Sequence, residues 1–178
     1  MSAARVALGA VGLAGFALHA MNHVRRGHPS EVLWACNAGS LLVAGGALAG
    51  APRLIAVGAC WLAYGVPLWL LDLATGGKLV PTTFGTHALG PVVAAYALYE
   101  LGWPRGAWAT AWIASLALLA ASRLLGDREA NVNLVFRVAE GWEGRFRSHP
   151  RYVAMLWLGS GAVYFTLEAL VTLLPALG

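Results

Sequence analysis

The side chains of this sequence best able to do chemistry inside otherwise apolar runs form a short set: His19 and His23, Cys36 with Asn37, Asp72, His87, Arg123 and Glu168. A charged group in the middle of a membrane-spanning helix costs about 2.5 to 3.5 kcal/mol on insertion scales, so each asks for a reason. Cys36 and His87 are the most reactive combination. A thiol becomes a nucleophile when a base takes its proton, and imidazole is the side chain whose proton moves near neutral pH. In this reading Cys36 is the nucleophile, His87 the general base, and Asn37 and Asp72 orient the imidazole. Plainer roles exist for the same residues: a cysteine in an apolar helix commonly packs, and an arginine near a helix end reaches out to water.

His19 and His23 are spaced i, i+4, which puts both rings on one helix face and suits two ligands of one metal ion. With His87 as a third, they define an alternative reading in which the chain carries a transition metal or haem. The leading reading requires no cofactor.

The elements that must position these residues follow from composition. The chain has 178 residues, 59% hydrophobic and 11% charged, against about 25% charged in a soluble domain. A bilayer core takes roughly 20 apolar residues per helix. The continuous runs, rich in Leu, Ala and Gly rather than alternating, favour helices over barrel strands. The sequence therefore predicts a single all-α domain, a bundle of six transmembrane helices, over residues 5–23, 31–50, 52–73, 83–101, 107–125 and 150–174. His28-Pro29-Ser30 precedes the second span, Gly50-Ala51-Pro52-Arg53 turns tightly into the third, and Trp103-Pro104-Arg105-Gly106 turns into the fifth. His19 and His23 argue against a secretory leader over the first run. The long connection, residues 126–149, holds eight charged residues around Trp142 and Phe146, and is expected to be an ordered loop or short interfacial helix. Gly45, Gly46, Gly58 and Gly65 read as packing positions.

Cys36 and Cys60 both fall in spans, so a disulfide is not expected; Cys60, with no polar neighbour, reads as core. The net charge of +4 lies beside the spans and reports orientation rather than nucleic-acid binding. Arg5, Arg53 and Arg105 fall on one side, and nine Lys and Arg on the other. The positive-inside rule then puts both termini on the non-cytoplasmic side and the first, third and fifth loops in the cytoplasm. That topology gathers His19, Cys36, Asn37, Asp72, His87 and Arg123 into one layer near the cytoplasmic face, and sets Tyr164 and Glu168 apart. His19, Trp34, Thr86, Arg123, Asn131 and Asn133 are the candidate substrate-binding residues of that layer.

The order of motifs carries a resemblance. Val32-Leu33-Trp34-Ala35-Cys36-Asn37 opens the second span, Trp61 to Asp72 closes the third as W-L-A-Y-G-V-P-L-W-L-L-D, and Phe84-Gly85-Thr86-His87 opens the fourth. Asn131-Val132-Asn133-Leu134 precedes Pro150-Arg151-Tyr152 at the sixth. Over residues 30–155 this series resembles the YwaF-like six-span membrane proteins, a group similar to the androgen-induced lipid hydrolases and to an ether-phospholipid acyltransferase. The resemblance implies that the cysteine and histidine of acyltransferase-type members fall on Cys36 and His87. The threonine of hydrolase-type members has no counterpart, since Trp34 stands at its position, and Asn37 replaces the family's acid.

The leading expectation is a multi-pass protein of the inner (plasma) membrane that hydrolyses or transfers a lipid acyl ester, with membrane lipid as its partner and no nucleic acid. The alternatives are the metal- or haem-dependent oxidoreductase and a non-enzymatic ligand-binding or transport protein in which Arg123 pairs with Asp72. The sequence leaves the oligomeric state open.

Overall fold

The computed structural model describes residues 2–173, and these are helical with no strand among them. Four helices are long and apolar enough to cross a membrane: α1 (Ala3–Arg25), α3 (Pro52–Ala74), α6 (Ala107–Leu125) and α7 (His149–Leu173). Leu174, the expected end of the last span, lies outside the described residues. Many of their large apolar side chains face outward, Val11, Leu70, Ile113 and Phe165 among them. That outward apolar surface is what a helix presents to lipid.

The second and fourth expected spans are not among these four. The second is a 3-10 turn at Pro29–Leu33 followed by α2 (Ala35–Ala49), with extended backbone at Trp34 between them. At about 1.5 Å per residue, the 15 residues of α2 rise roughly 22 Å. The fourth is broken at Ala88 into a single turn, α4 (Phe84–His87), and α5 (Leu89–Leu101). Pro91 explains the break, because it has no N–H to give the carbonyl of His87 four residues earlier. One residue earlier, the carbonyl of Thr86 accepts the hydroxyl of Ser40 on α2 at 2.9 Å.

α3 is the central element, packing on α2, α5, α6 and α7. One apolar core fills the space between α2, α3 and α5, around Val43, Ala47, Ile55, Leu62, Val93 and Ala97. The second lies between α3, α6 and α7, around Val57, Cys60, Trp61, Ala111 and Tyr164. Both cysteines are unpaired, Cys60 fully buried in this second core and Cys36 half-buried. Gly39 and Gly58 bring α2 and α3 backbone to backbone, as the small-residue reading anticipated; Gly46 packs on Ile55, and Gly45 faces open space. Gly50 ends α2 in the left-handed region (φ 66°, ψ 36°), and Pro52 starts α3.

α6 and α7 are joined by aromatic contacts. The indoles of Trp112 and Trp157 stack with centroids 4.1 Å apart. Each N–H donates to the other residue's carbonyl, Trp112 Nε1 at 2.9 Å and Trp157 Nε1 at 3.2 Å. Gly161 leaves the space that the Trp112 ring occupies.

Residues 126–148 form an ordered loop containing two 3-10 turns, Val132–Leu134 and Glu143–Arg145. Asn131, Asn133 and Leu134 all have positive φ, 47°, 52° and 58°. Asparagine tolerates this backbone better than most residues, and the side chains of both asparagines fasten the loop down.

Candidate active site

The strongest polar constellation lies where α1 ends and the α3–α4 connection turns into α4. On α1 the sequence has Gly15 one turn before His19. Gly15 and Gly85 of α4 approach so closely that a Cβ on Gly85 would lie 3.0 Å from the Gly15 carbonyl oxygen. That approach draws the Pro81–Thr83 turn against α1, and His19 Nδ1 comes to lie 2.9 Å from Thr82 Oγ1. His19 is 2% exposed, and Thr82 is half-buried.

The contact continues outward. His19 Nε2 and His23 Nε2 are 2.9 Å apart, with the rings edge-on at 72°. His23 Nδ1 lies 2.7 Å from Glu31 Oε2, a charge contact rather than an aligned hydrogen bond. The Glu31 carboxylate, on the turn after α1, is 26% exposed. One proton arrangement fits the row: the carboxylate charge favours N–H at His23 Nδ1, so His23 Nε2 accepts from His19 Nε2–H, and His19 Nδ1 accepts from the Thr82 hydroxyl. The row thus ends in an imidazole nitrogen whose lone pair meets a hydroxyl.

His87 lies nearby on α4, its ring stacked on Trp69 at 4.4 Å and 23°. Its Nδ1 is 3.0 Å from the Thr83 carbonyl and 2.9 Å from Thr86 Oγ1. A carbonyl can only accept, so the proton is on Nδ1 and Nε2 carries a lone pair. The groups orienting His87 are therefore Thr83 and Thr86, not Asn37 or Asp72 as the sequence suggested. Asn37 is turned to the backbone carbonyl of Glu31 at 2.9 Å, and Asp72 is exposed.

Cys36 Sγ sits against Gly65 of α3, and among the described residues no hydrogen bond joins it to His87. Gly65 and Trp69 are one turn apart on the same face of α3, so Cys36 and His87 meet neighbouring patches of one helix. Among the described residues no group of three His, Cys, Asp or Glu side chains is set to share an ion.

Thr86 is wholly buried, its hydroxyl donating to the Thr83 carbonyl at 3.0 Å. Asn133 accepts from the Ala35 N–H at 2.9 Å and donates to the Leu33 carbonyl at 2.7 Å and to Ser122 Oγ at 2.8 Å. Asn131 accepts the N–H groups of Phe136 and Arg137 and donates to the Arg137 carbonyl. These two asparagines are committed to the chain itself. Trp34, Asp72 and Asn131 do come together, lining a polar cavity of about 590 Å³ with Arg137, Glu140 and Glu143. Arg123 does not pair with Asp72; it donates to the Val135 carbonyl at 3.2 Å and lies over the Phe136 ring.

Two participants went unread in the sequence. Thr82 gave no signal, because it falls in a polar connection and meets His19 only across 63 residues. Glu31 was equally silent, although its place eight residues after His23 in a short turn could have raised it. Compared with known proteins, the chain matches no family model, no curated protein and no solved structure.

Proposed function

We propose that this chain is a membrane-embedded enzyme that hydrolyses or transfers a lipid acyl ester, with Thr82 as the nucleophile. The observation carrying the proposal is the 2.9 Å contact between Thr82 Oγ1 and His19 Nδ1, backed by His23 and Glu31. A nucleophile within hydrogen-bond reach of a base, with that base oriented by further groups, is the arrangement that activates a hydroxyl. In the reaction, Thr82 Oγ forms a bond to the ester carbonyl carbon while its proton passes to His19 Nδ1. The carbon–oxygen bond to the leaving alcohol breaks, and that alcohol takes the proton back from His19. Water or a second alcohol then attacks the acyl-threonine, giving free acid or a new ester, with His19 again accepting and returning the proton.

The six-span topology with both termini on the non-cytoplasmic side belongs to this reading. In it α2 with its preceding turn, and α4 with α5, complete the four long helices, and the charge asymmetry supports a His19 layer near the cytoplasmic face of the inner membrane. Ester linkages of phospholipids lie at that depth.

A second reading keeps Cys36 as nucleophile and His87 as base. It is favoured by the open Nε2 of His87 and by the contact of both residues with one face of α3, at Gly65 and Trp69. Turnover of a fluorogenic lipid ester by purified protein separates the two. Under the first reading Thr82→Val and His19→Ala each lower kcat by about 10²- to 10⁴-fold, Thr82→Ser retains turnover and Cys36→Ser is neutral. Loss on Cys36→Ser with Thr82→Val unaffected selects the second. Indifference to all four variants rejects both.

A further inference from the structure

Apart from the His19 row, the molecule has a second concave feature, on its outer surface between α6 and α7. It is a groove of about 550 Å³, walled by Leu116, Leu119, Val153 and Trp157, with Arg123 and His149 among its lining residues. Volumes of this order hold small-molecule and lipid-fragment ligands. Its two sides are of opposite kind. The walls come from turns of α6 and α7 whose residues are apolar, whereas Arg123 is in the last turn of α6 and His149 opens α7. The polar residues thus gather at the end where the 126–148 loop joins the two helices.

The charge at that end is not neutralised internally. No aspartate or glutamate lines the groove, and among the described residues Arg123 lies within 4.0 Å of no carboxylate. Arg123 gives one N–H to the Val135 carbonyl and is braced by the Phe136 ring 4.6 Å beneath it. A guanidinium has five N–H donors in a planar fork suited to phosphate, so most of them remain open. His149 is held in the same way, its Nε2 donating to the Leu134 carbonyl at 2.8 Å, which leaves Nδ1 uncommitted. The loop therefore fixes both rings by carbonyl contacts and spends little of their capacity. Basic pockets between transmembrane helices next to an apolar wall suit an amphiphile with an anionic head.

We infer that the α6–α7 groove is a lateral binding site for a phospholipid with an anionic headgroup, its phosphate at Arg123 and an acyl chain along Leu116, Leu119, Val153 and Trp157. The site depends on the helices lying in a bilayer and is independent of the ester chemistry at Thr82. The occupant is fixed by charge complementarity together with an apolar wall, which a soluble anion would leave empty.

The test is native mass spectrometry of detergent-purified protein titrated with dioleoyl-phosphatidylglycerol and, separately, dioleoyl-phosphatidylcholine. The expected result is preferential retention of the anionic lipid by about fivefold to tenfold, the scale of one well-placed basic group near the surface. Arg123→Gln should bring the two lipids to parity, while Arg123→Lys keeps most of the preference. Ala120→Trp, a change at an exposed position on the groove, should reduce retention of both lipids without altering thermal stability, which guards against misfolding as the cause. Equal retention of the two lipids by the unaltered protein, or an Ala120→Trp variant that binds as before, overturns the inference. So does loss of the preference on adding inorganic phosphate alone, which would identify a free-anion site.

Discussion

Glu168, five residues before the last described residue of α7, receives the backbone N–H groups of Gly106 at 2.7 Å and Trp108 at 2.9 Å, and the Trp103 indole N–H at 3.2 Å. α6 has no side-chain cap of its own at Gly106, so a carboxylate 60 residues away does the capping, and its charge complements the helix dipole. The polar group that the sequence set apart from the His19 layer is thus a structural clasp at the opposite end of the bundle. Glu168→Gln retains one acceptor but loses the charge and should lower stability by about 1 to 2 kcal/mol. The measurement is the thermal midpoint in detergent, with ester turnover at low temperature unchanged; a midpoint equal to that of the parent protein would contradict the capping role.

The contact of Gly15 with Gly85 sets the distance between α1 and α4. Gly85→Ala would put its Cβ 3.0 to 3.1 Å from three backbone atoms of Gly15, and backbone cannot swing aside as a side chain does. The helices must separate, at a cost of about 1 to 3 kcal/mol, and Thr82 moves off His19. The variant should therefore lose most turnover while still folding. A Gly85→Ala protein with full activity would show that the Thr82–His19 contact is not needed.

Within the histidine row the expected losses are graded. Glu31→Gln leaves Thr82 and His19 in place but removes the charge that favours the His23 Nδ1 proton. Its effect should be about 10- to 100-fold on kcat, the range typical of outer groups that orient a functional imidazole, with KM unchanged. His19→Ala should be worse than Glu31→Gln, and steady-state kinetics on one ester substrate decides the order.

Asn133 ties the start of α2 to the end of α6 through three side-chain hydrogen bonds. Because its φ is +52°, the informative variant is Asn133→Gly, which tolerates the backbone and removes only the side chain. Three such bonds at about 1 kcal/mol each give an expected loss of roughly 2 to 3 kcal/mol. Limited proteolysis should then cut faster between residues 126 and 148; unchanged cleavage would mean that the loop is held by other contacts.

How far the sequence reveals this molecule depends on the range of the interaction. The long helices were legible because apolar runs are local, and so was the tight turn at Gly50 and Pro52. The break at Ala88 was also written locally, in Pro91, but hydropathy averages over a single lost hydrogen bond and does not register it. The pairing of His19 with His23 was legible from their i, i+4 spacing. Thr82 was not, because its role comes from two glycines 70 residues apart that let α1 and α4 close up. His87 was picked out correctly as an unusual residue, yet its partners were misassigned: Thr83 and Thr86 precede it within one turn, and local carbonyl and hydroxyl groups out-compete the more distant Asn37 and Asp72 for the ring.

The reciprocal pair of Trp112 and Trp157 has a use beyond holding α6 to α7. Two indoles stacked 4.1 Å apart share their excited states, so the pair is a native optical gauge whose signal in the near ultraviolet depends on the spacing of those two helices. Trp157 also lines the α6–α7 groove. A change in helix spacing at that groove would be recorded by the protein's own near-ultraviolet signal, with no label attached.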